Sequence, residues 1–109
     1  MAPPLPAIVT PNAQADVLAA LDHYLEDGGA PVAARFVASL QQAYALLGRQ
    51  PGLGSPRYAT LAGIPGLRAW PLRPWPYLVF YLPQERQLDI LRVLHTARDL
   101  PATLAPDDA

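Results

Sequence analysis

The run Tyr77-Leu78-Val79-Phe80-Tyr81-Leu82 constrains this chain more than any other segment, because it is apolar at odd and even positions alike. A strand with one face in water alternates apolar and polar residues; a short continuous apolar run between turn residues is a strand buried on both faces. Pro76 and Pro83 bound it. The fold must therefore hold this segment as a central strand.

The flanking segments supply its neighbours. Leu67 to Leu72 reads as a strand in which Pro71 cannot donate to a ladder, which predicts an edge position or a bulge. Pro83 to Gln87 turns the chain into a further strand, Leu88 to His95, completing an antiparallel meander. Near the N-terminus, Ala7-Ile8-Val9-Thr10 reads as a short first strand whose pairing is left open. Thr10 then offers a side-chain oxygen as a helix N-cap, and Pro11 suits the first helical position, where its missing N–H costs nothing.

Val17, Leu21, Tyr24 and Leu25 fall at helical spacing, with Asp16, Asp22, Glu26 and Asp27 largely off that stripe. Gly28-Gly29 ends this helix by permitting positive φ. Pro31 opens a second, in which Ala33, Phe36, Val37, Leu40, Ala43, Tyr44 and Leu47 make an apolar face until Gly48 and Pro51 stop it. So short a connection predicts an antiparallel helical hairpin. The fold class is α+β: a short N-terminal strand and a helical hairpin packed on a curved, mainly antiparallel sheet. A single domain spans residues 1–109, with a core from about 7 to 104, a short helical turn near 102–104 and a frayed tail over 105–109.

At 109 residues and 51% hydrophobic content, the chain can bury between about 60% and 70% of its unfolded surface without covalent staples. It has no cysteine, so nothing argues for an oxidising compartment. The first six residues lack bases and a long apolar core, and the apolar run from Tyr77 is too short to span a bilayer, so a soluble, cytoplasmic protein is expected. The net charge of -1 hides an uneven distribution. Residues 1–34 carry Asp16, Asp22, Glu26 and Asp27 and no base, whereas residues 28–84 carry Arg35, Arg49, Arg57, Arg68 and Arg73 and no acid. Such a basic middle would attract an acidic partner through pairing that salt weakens.

Enzyme motifs are scarce. Lysine is absent, which removes lysine-based catalysis, and His23 and His95 have no metal-ligand spacing, so no metal or cofactor is expected. Pro51-Gly52-Leu53-Gly54-Ser55-Pro56 lacks the lysine and the strand-to-helix setting of a phosphate loop and reads as a turn. Ser39 and Ser55 lie in no nucleophile motif. The unusual segment is Arg92-Val93-Leu94-His95-Thr96-Ala97-Arg98-Asp99, which ends a strand with an imidazole, a guanidinium and a carboxylate within one short turn.

Gly66-Leu67-Arg68, then Pro76 to Tyr81, then Arg92-Val93-Leu94-His95 with Arg98-Asp99, in this order and spacing, resemble the ParE/RelE superfamily of bacterial type II toxins. The resemblance covers roughly residues 7 to 104 and is strongest to the ParE branch of plasmid stabilisation toxins. It implies a toxin that inhibits DNA gyrase by binding and is neutralised by a cognate ParD-like antitoxin in a hetero-oligomer, without sequence-specific nucleic-acid binding. The alternative it leaves is a ribosome-dependent mRNA endoribonuclease of the RelE type.

That branch carries two alternating lysines on the second strand, where this chain has Arg68 and Trp70. It has an arginine before the central apolar run, where Tyr77 stands here. A base and then a tyrosine are expected beyond the last strand, where Thr96 and Ala102 stand, and no tyrosine follows Tyr81. The general acid and most transition-state cations are thus missing, which favours a non-enzymatic toxin. Were it a ribonuclease, Arg68, Arg92 and Arg98 would carry the chemistry. For a gyrase toxin, the resemblance places target contact on Arg68, His95, Arg98 and Asp99. Antitoxin binding is expected at Arg35, Arg57, Phe36, Leu40, Trp70 and Tyr77, in the groove between hairpin and sheet.

Overall fold

Both faces of the apolar run are covered, each by a different part of the chain. A computed structural model describes residues 2–100. Its elements are β1 (Ala7–Val9), α1 (Pro11–Arg49), α2 (Ala59–Ala62), β2 (Arg68–Pro71), β3 (Tyr77–Pro83) and β4 (Leu88–His95). The strands form one sheet in the order β1-β4-β3-β2, with β2, β3 and β4 antiparallel and β1 parallel to β4. β3 is interior and β2, with Pro71 at its end, lies at an edge, as expected. The expectations for residues 102–104 and for the tail beyond lie outside the described residues.

The helical hairpin is present. Thr10 caps α1, its hydroxyl accepting the Ala13 N–H at 3.2 Å, with Pro11 in the first turn. Helical geometry then breaks at Gly29 (φ 77°, ψ -176°), a conformation that side-chain-bearing residues rarely adopt. The two limbs fold back on each other. Tyr24 and Phe36 have ring centroids 5.1 Å apart, whereas an unbroken helix would separate them by about 18 Å.

One face of the sheet packs Tyr77, Val79, Tyr81, Leu88, Ile90 and Val93 against Phe36, Leu40 and Leu47 of the hairpin. The other packs Leu78, Phe80, Leu67, Ala69 and Leu94 under Tyr58, Ala59, Ala62 and Ile64. That second cover includes α2, a short helix for which the sequence reading made no provision. A register shift between Phe80 and Tyr81, opposite Arg92 and Ile90, leaves Leu91 as an extra residue in β4. The bulge re-phases the alternation, so that Val93 and not Arg92 follows Ile90 into the hairpin core.

Gly48 does not stop the second limb, which runs on to Arg49. Its absent side chain serves the N-terminal segment instead: Leu5 N–H donates to Gly48 O at 2.9 Å, and a Cβ at this position would collide with the Leu5 carbonyl. Sterics between two remote segments, and not a backbone dihedral, require this glycine.

One buried side-chain polar atom lacks a partner among the described residues, the Tyr44 hydroxyl. Burial alone pushes its pKa up to about 12. An unsatisfied buried hydroxyl costs about 1–3 kcal/mol, so Tyr44→Phe should leave stability unchanged or raise it by up to about 1 kcal/mol. Thermal melting of the two proteins decides it; a clear loss would mean that the hydroxyl has a partner.

Candidate functional site

β1 ends beside Ile90 and, among the described residues, leaves the last residues of β4 without a neighbouring strand on that side. Side chains take over where the ladder stops. Thr10 N donates to Ile90 O at 3.1 Å, and its hydroxyl to the same oxygen at 2.9 Å. Asp16 Oδ2 then accepts the Val93 N–H at 2.9 Å, and Asp99 Oδ2 accepts the His95 N–H at 2.9 Å. Two carboxylates thus stand in for strand carbonyls along an edge that would otherwise offer bare donors.

Asp16 also fixes Arg92. The guanidinium donates from Nε at 2.8 Å and from its terminal nitrogen at 2.9 Å, a two-point pair that raises the arginine's pKa further. The positive charge of Arg92 is therefore compensated on the spot. Removing Asp16 would leave both the Val93 N–H and this guanidinium without their acceptor. Since the Arg92 side chain is 34% exposed, water offsets part of the loss, and Asp16→Ala is expected to cost about 2 kcal/mol in urea denaturation. Asp16→Ala/Arg92→Leu should recover part of it; a loss under about 0.5 kcal/mol would mean that the edge needs no such cap.

Arg68 is engaged too. Its guanidinium donates to Gly54 O at 2.6 Å and Gly52 O at 3.1 Å. Next to it, the buried Tyr81 hydroxyl donates to Pro51 O at 2.7 Å and accepts the Gly54 N–H at 2.8 Å. The turn at residues 51–56 is thus latched to the sheet from below. A Cβ at Gly54 would lie 2.6 Å from the Tyr81 hydroxyl, so glycine is required by close approach. Tyr81 and Asp16 are the functional-looking residues that sequence reasoning missed, since a tyrosine in an apolar strand and an acid off a helical stripe carry no local signal of remote partners.

Arg98 differs from the other two. It is exposed, and among the described residues its only side-chain partner is the Tyr77 hydroxyl at 3.1 Å. Burial raises the Tyr77 pKa, and Arg98 partly offsets the rise. Arg98 stands beside a cleft of about 330 Å³ lined by Asp16, Ala19, Ala20, Tyr77, Arg92 and Asp99. The structure thus brings His95, Arg98 and Asp99 together, with Tyr77, and sets Arg68 apart in its own latch.

The residues expected to meet an antitoxin are divided. Phe36, Leu40 and Tyr77 are 0%, 3% and 3% exposed, so they are packed into the core between hairpin and sheet. Arg35 and Arg57 are exposed, the latter over the Tyr58 ring at 5.2 Å. Trp70 is half-buried in a smaller cleft with Ser39, Gln42, Leu46 and Arg73. No helix among the described residues is long and apolar enough to cross a membrane.

A small α+β domain with its hairpin on one sheet face, and an arginine-bearing turn at the end of its last strand, has the architecture of a type II toxin. The chain belongs to the ParE toxin family: the model described as the ParE toxin of the type II toxin-antitoxin system parDE matches residues 7–100. Among solved structures, it is similar to a chain of the chromosomal ParDE toxin-antitoxin system from P. aeruginosa, with 26% sequence identity and a TM-score of 0.68. The match covers 84% of this chain and 95% of the other. No curated protein sequence matches it.

Proposed function

We propose that this protein is a cytoplasmic toxin held inactive by a ParD-like antitoxin, and that it acts by binding DNA gyrase and not by cutting mRNA. The observation that carries this reading is the state of the three arginines a ribonuclease would need. Arg92 is neutralised by Asp16 and Arg68 is spent on backbone carbonyls, leaving Arg98 alone outward. One exposed guanidinium supplies a contact, whereas stabilising a phosphoryl transition state takes several converging cations and a proton donor. Expression without antitoxin, followed by supercoiling and mRNA-cleavage assays on the same cells, tests it. Growth arrest with altered supercoiling and intact mRNA is expected; cleaved mRNA with normal supercoiling would overturn it.

The antitoxin reading rests on the exposed bases of the middle region and on the cleft beside Trp70. An acidic segment that folds on binding would pair with Arg35 and Arg57 while burying an apolar side chain beside Trp70. Arg35→Glu and Arg57→Glu should each weaken the complex about tenfold at low salt and flatten its salt dependence. Affinities measured by calorimetry across a salt series check this, and unchanged slopes for both would remove the electrostatic component.

A further inference from the structure

The turn that carries Arg98 is organised around one atom. Ala97 N–H and Arg98 N–H both donate to His95 Nδ1, each at 3.1 Å. A side-chain acceptor that takes the N–H groups two and three residues further on does what Ser, Asn or Asp does at a helix N-cap. Around it, Asp99 N donates to His95 O at 3.0 Å, and Thr96 N donates to Pro76 O at 2.9 Å. The imidazole packs edge-on to the Tyr77 ring at 5.3 Å, and the Tyr77 hydroxyl in turn receives the Arg98 guanidinium. The backbone of residue 98 is thus set by His95 and the far end of its side chain by Tyr77.

We propose that His95 is a positioning residue, whose Nδ1 holds the turn in the form that presents Arg98, and that it does not itself meet the target. The inference rests on the reading of Arg98 as the target-facing group. It requires an unprotonated Nδ1, because an imidazolium has donors at both nitrogens and no acceptor.

Among the described residues, the charged and titratable groups facing the ring are Arg98 and Asp99 from the turn, Tyr77 from β3 and His23 from the first helical limb. Burial and then Arg98 lower the imidazole's pKa, against an opposing pull from Asp99. The folded chain therefore binds fewer protons here than the unfolded one, and the turn's stability is fully present above about pH 6.5 and lost as pH falls through the lowered pKa.

Two substitutions separate the acceptor from the ring. His95→Asn places an amide oxygen close to the position of Nδ1, whereas His95→Gln moves its acceptor one carbon further out. Amide hydrogen exchange at Ala97 and Arg98, read by NMR on the full chain and corrected for intrinsic rates, is the direct readout. The Asn variant should match the wild type at pH 7.5, and the Gln variant should exchange at least tenfold faster. A pH titration downward from about 6.5 should release these two amides in the wild type, as the imidazole protonates, and not in the Asn variant. Growth arrest without antitoxin should follow the same order, with the Asn variant toxic and the Gln variant not. Wild-type protection in the Gln variant, or lost protection in the Asn variant, would overturn the role of Nδ1. Protection that follows the acceptor while toxicity stays the same in all three proteins would instead overturn the target-facing reading of Arg98.

Discussion

Phe36→Ala is expected to destabilise the fold by about 3–5 kcal/mol, the range for emptying a large aromatic from a packed core. Phe36 is 0% exposed, and its ring meets those of Tyr24, Trp75 and Tyr77 at centroid distances of 5.1, 5.3 and 5.4 Å. These rings come from the first limb, the β2–β3 connection and the central strand, so the cavity would open where all three meet. Collapse to fill it is hindered, since Trp75 is also held by a hydrogen bond from its indole N–H to Ser39 Oγ at 2.9 Å. Against a total stability of about 5–15 kcal/mol for such a domain, this is a large share. A urea series with unchanged slope and a lower midpoint measures it. A loss below about 1.5 kcal/mol would show that the limbs repack and that this aromatic cluster is not what joins hairpin to sheet.

Arg98→Ala is expected to abolish growth arrest while leaving the fold and the antitoxin complex nearly intact. The structural reason is its sparse engagement: an exposed guanidinium with a single hydroxyl partner among the described residues. Loss of that one contact should shift the melting temperature by less than about 4 °C. The contrast with Arg92 is instructive, because Arg92→Ala would strand the Asp16 carboxylate and would confound toxicity with folding. Scoring growth, supercoiling and melting on one preparation keeps the effects apart. Full toxicity from a folded Arg98→Ala protein would remove this turn from the target-facing surface.

What could be read in the sequence follows the range of the forces involved. Thr10 and Pro11 announce a helix start because capping is decided within four residues, and the double-faced apolar run of β3 announces a central strand because burial is decided within the strand itself. Pro71 marked an edge for the same local reason. Remote partnerships left no such trace. The parallel pairing of β1 with β4 joins residues about eighty positions apart, and nothing in Ala7-Ile8-Val9 names its partner. Gly48 reads as a helix stop until Leu5 is seen lying across it. Arg92 and Arg68 read as open bases because Asp16 and the carbonyls of Gly52 and Gly54 are brought to them only by the fold. At the site, the cluster His95, Arg98 and Asp99 was legible as a local motif, whereas the division of labour within it depends on where the imidazole nitrogen points.

The parallel β1–β4 pair also orders events during synthesis. Ala7, Ile8 and Val9 are made well before their ladder partners, Leu88, Asp89 and Ile90. Of the four strands in this sheet, the first to leave the ribosome is therefore the last to be paired, and the hairpin that follows it, rich in local contacts, can form before the rest of its sheet exists. Thr10 and Asp16 wait in the same way for Ile90 and Val93. The turn bearing Arg98 comes later still in the order of synthesis. The sheet of a growing chain of this topology thus stays unfinished until β4 is made, and its cationic turn takes shape only after that.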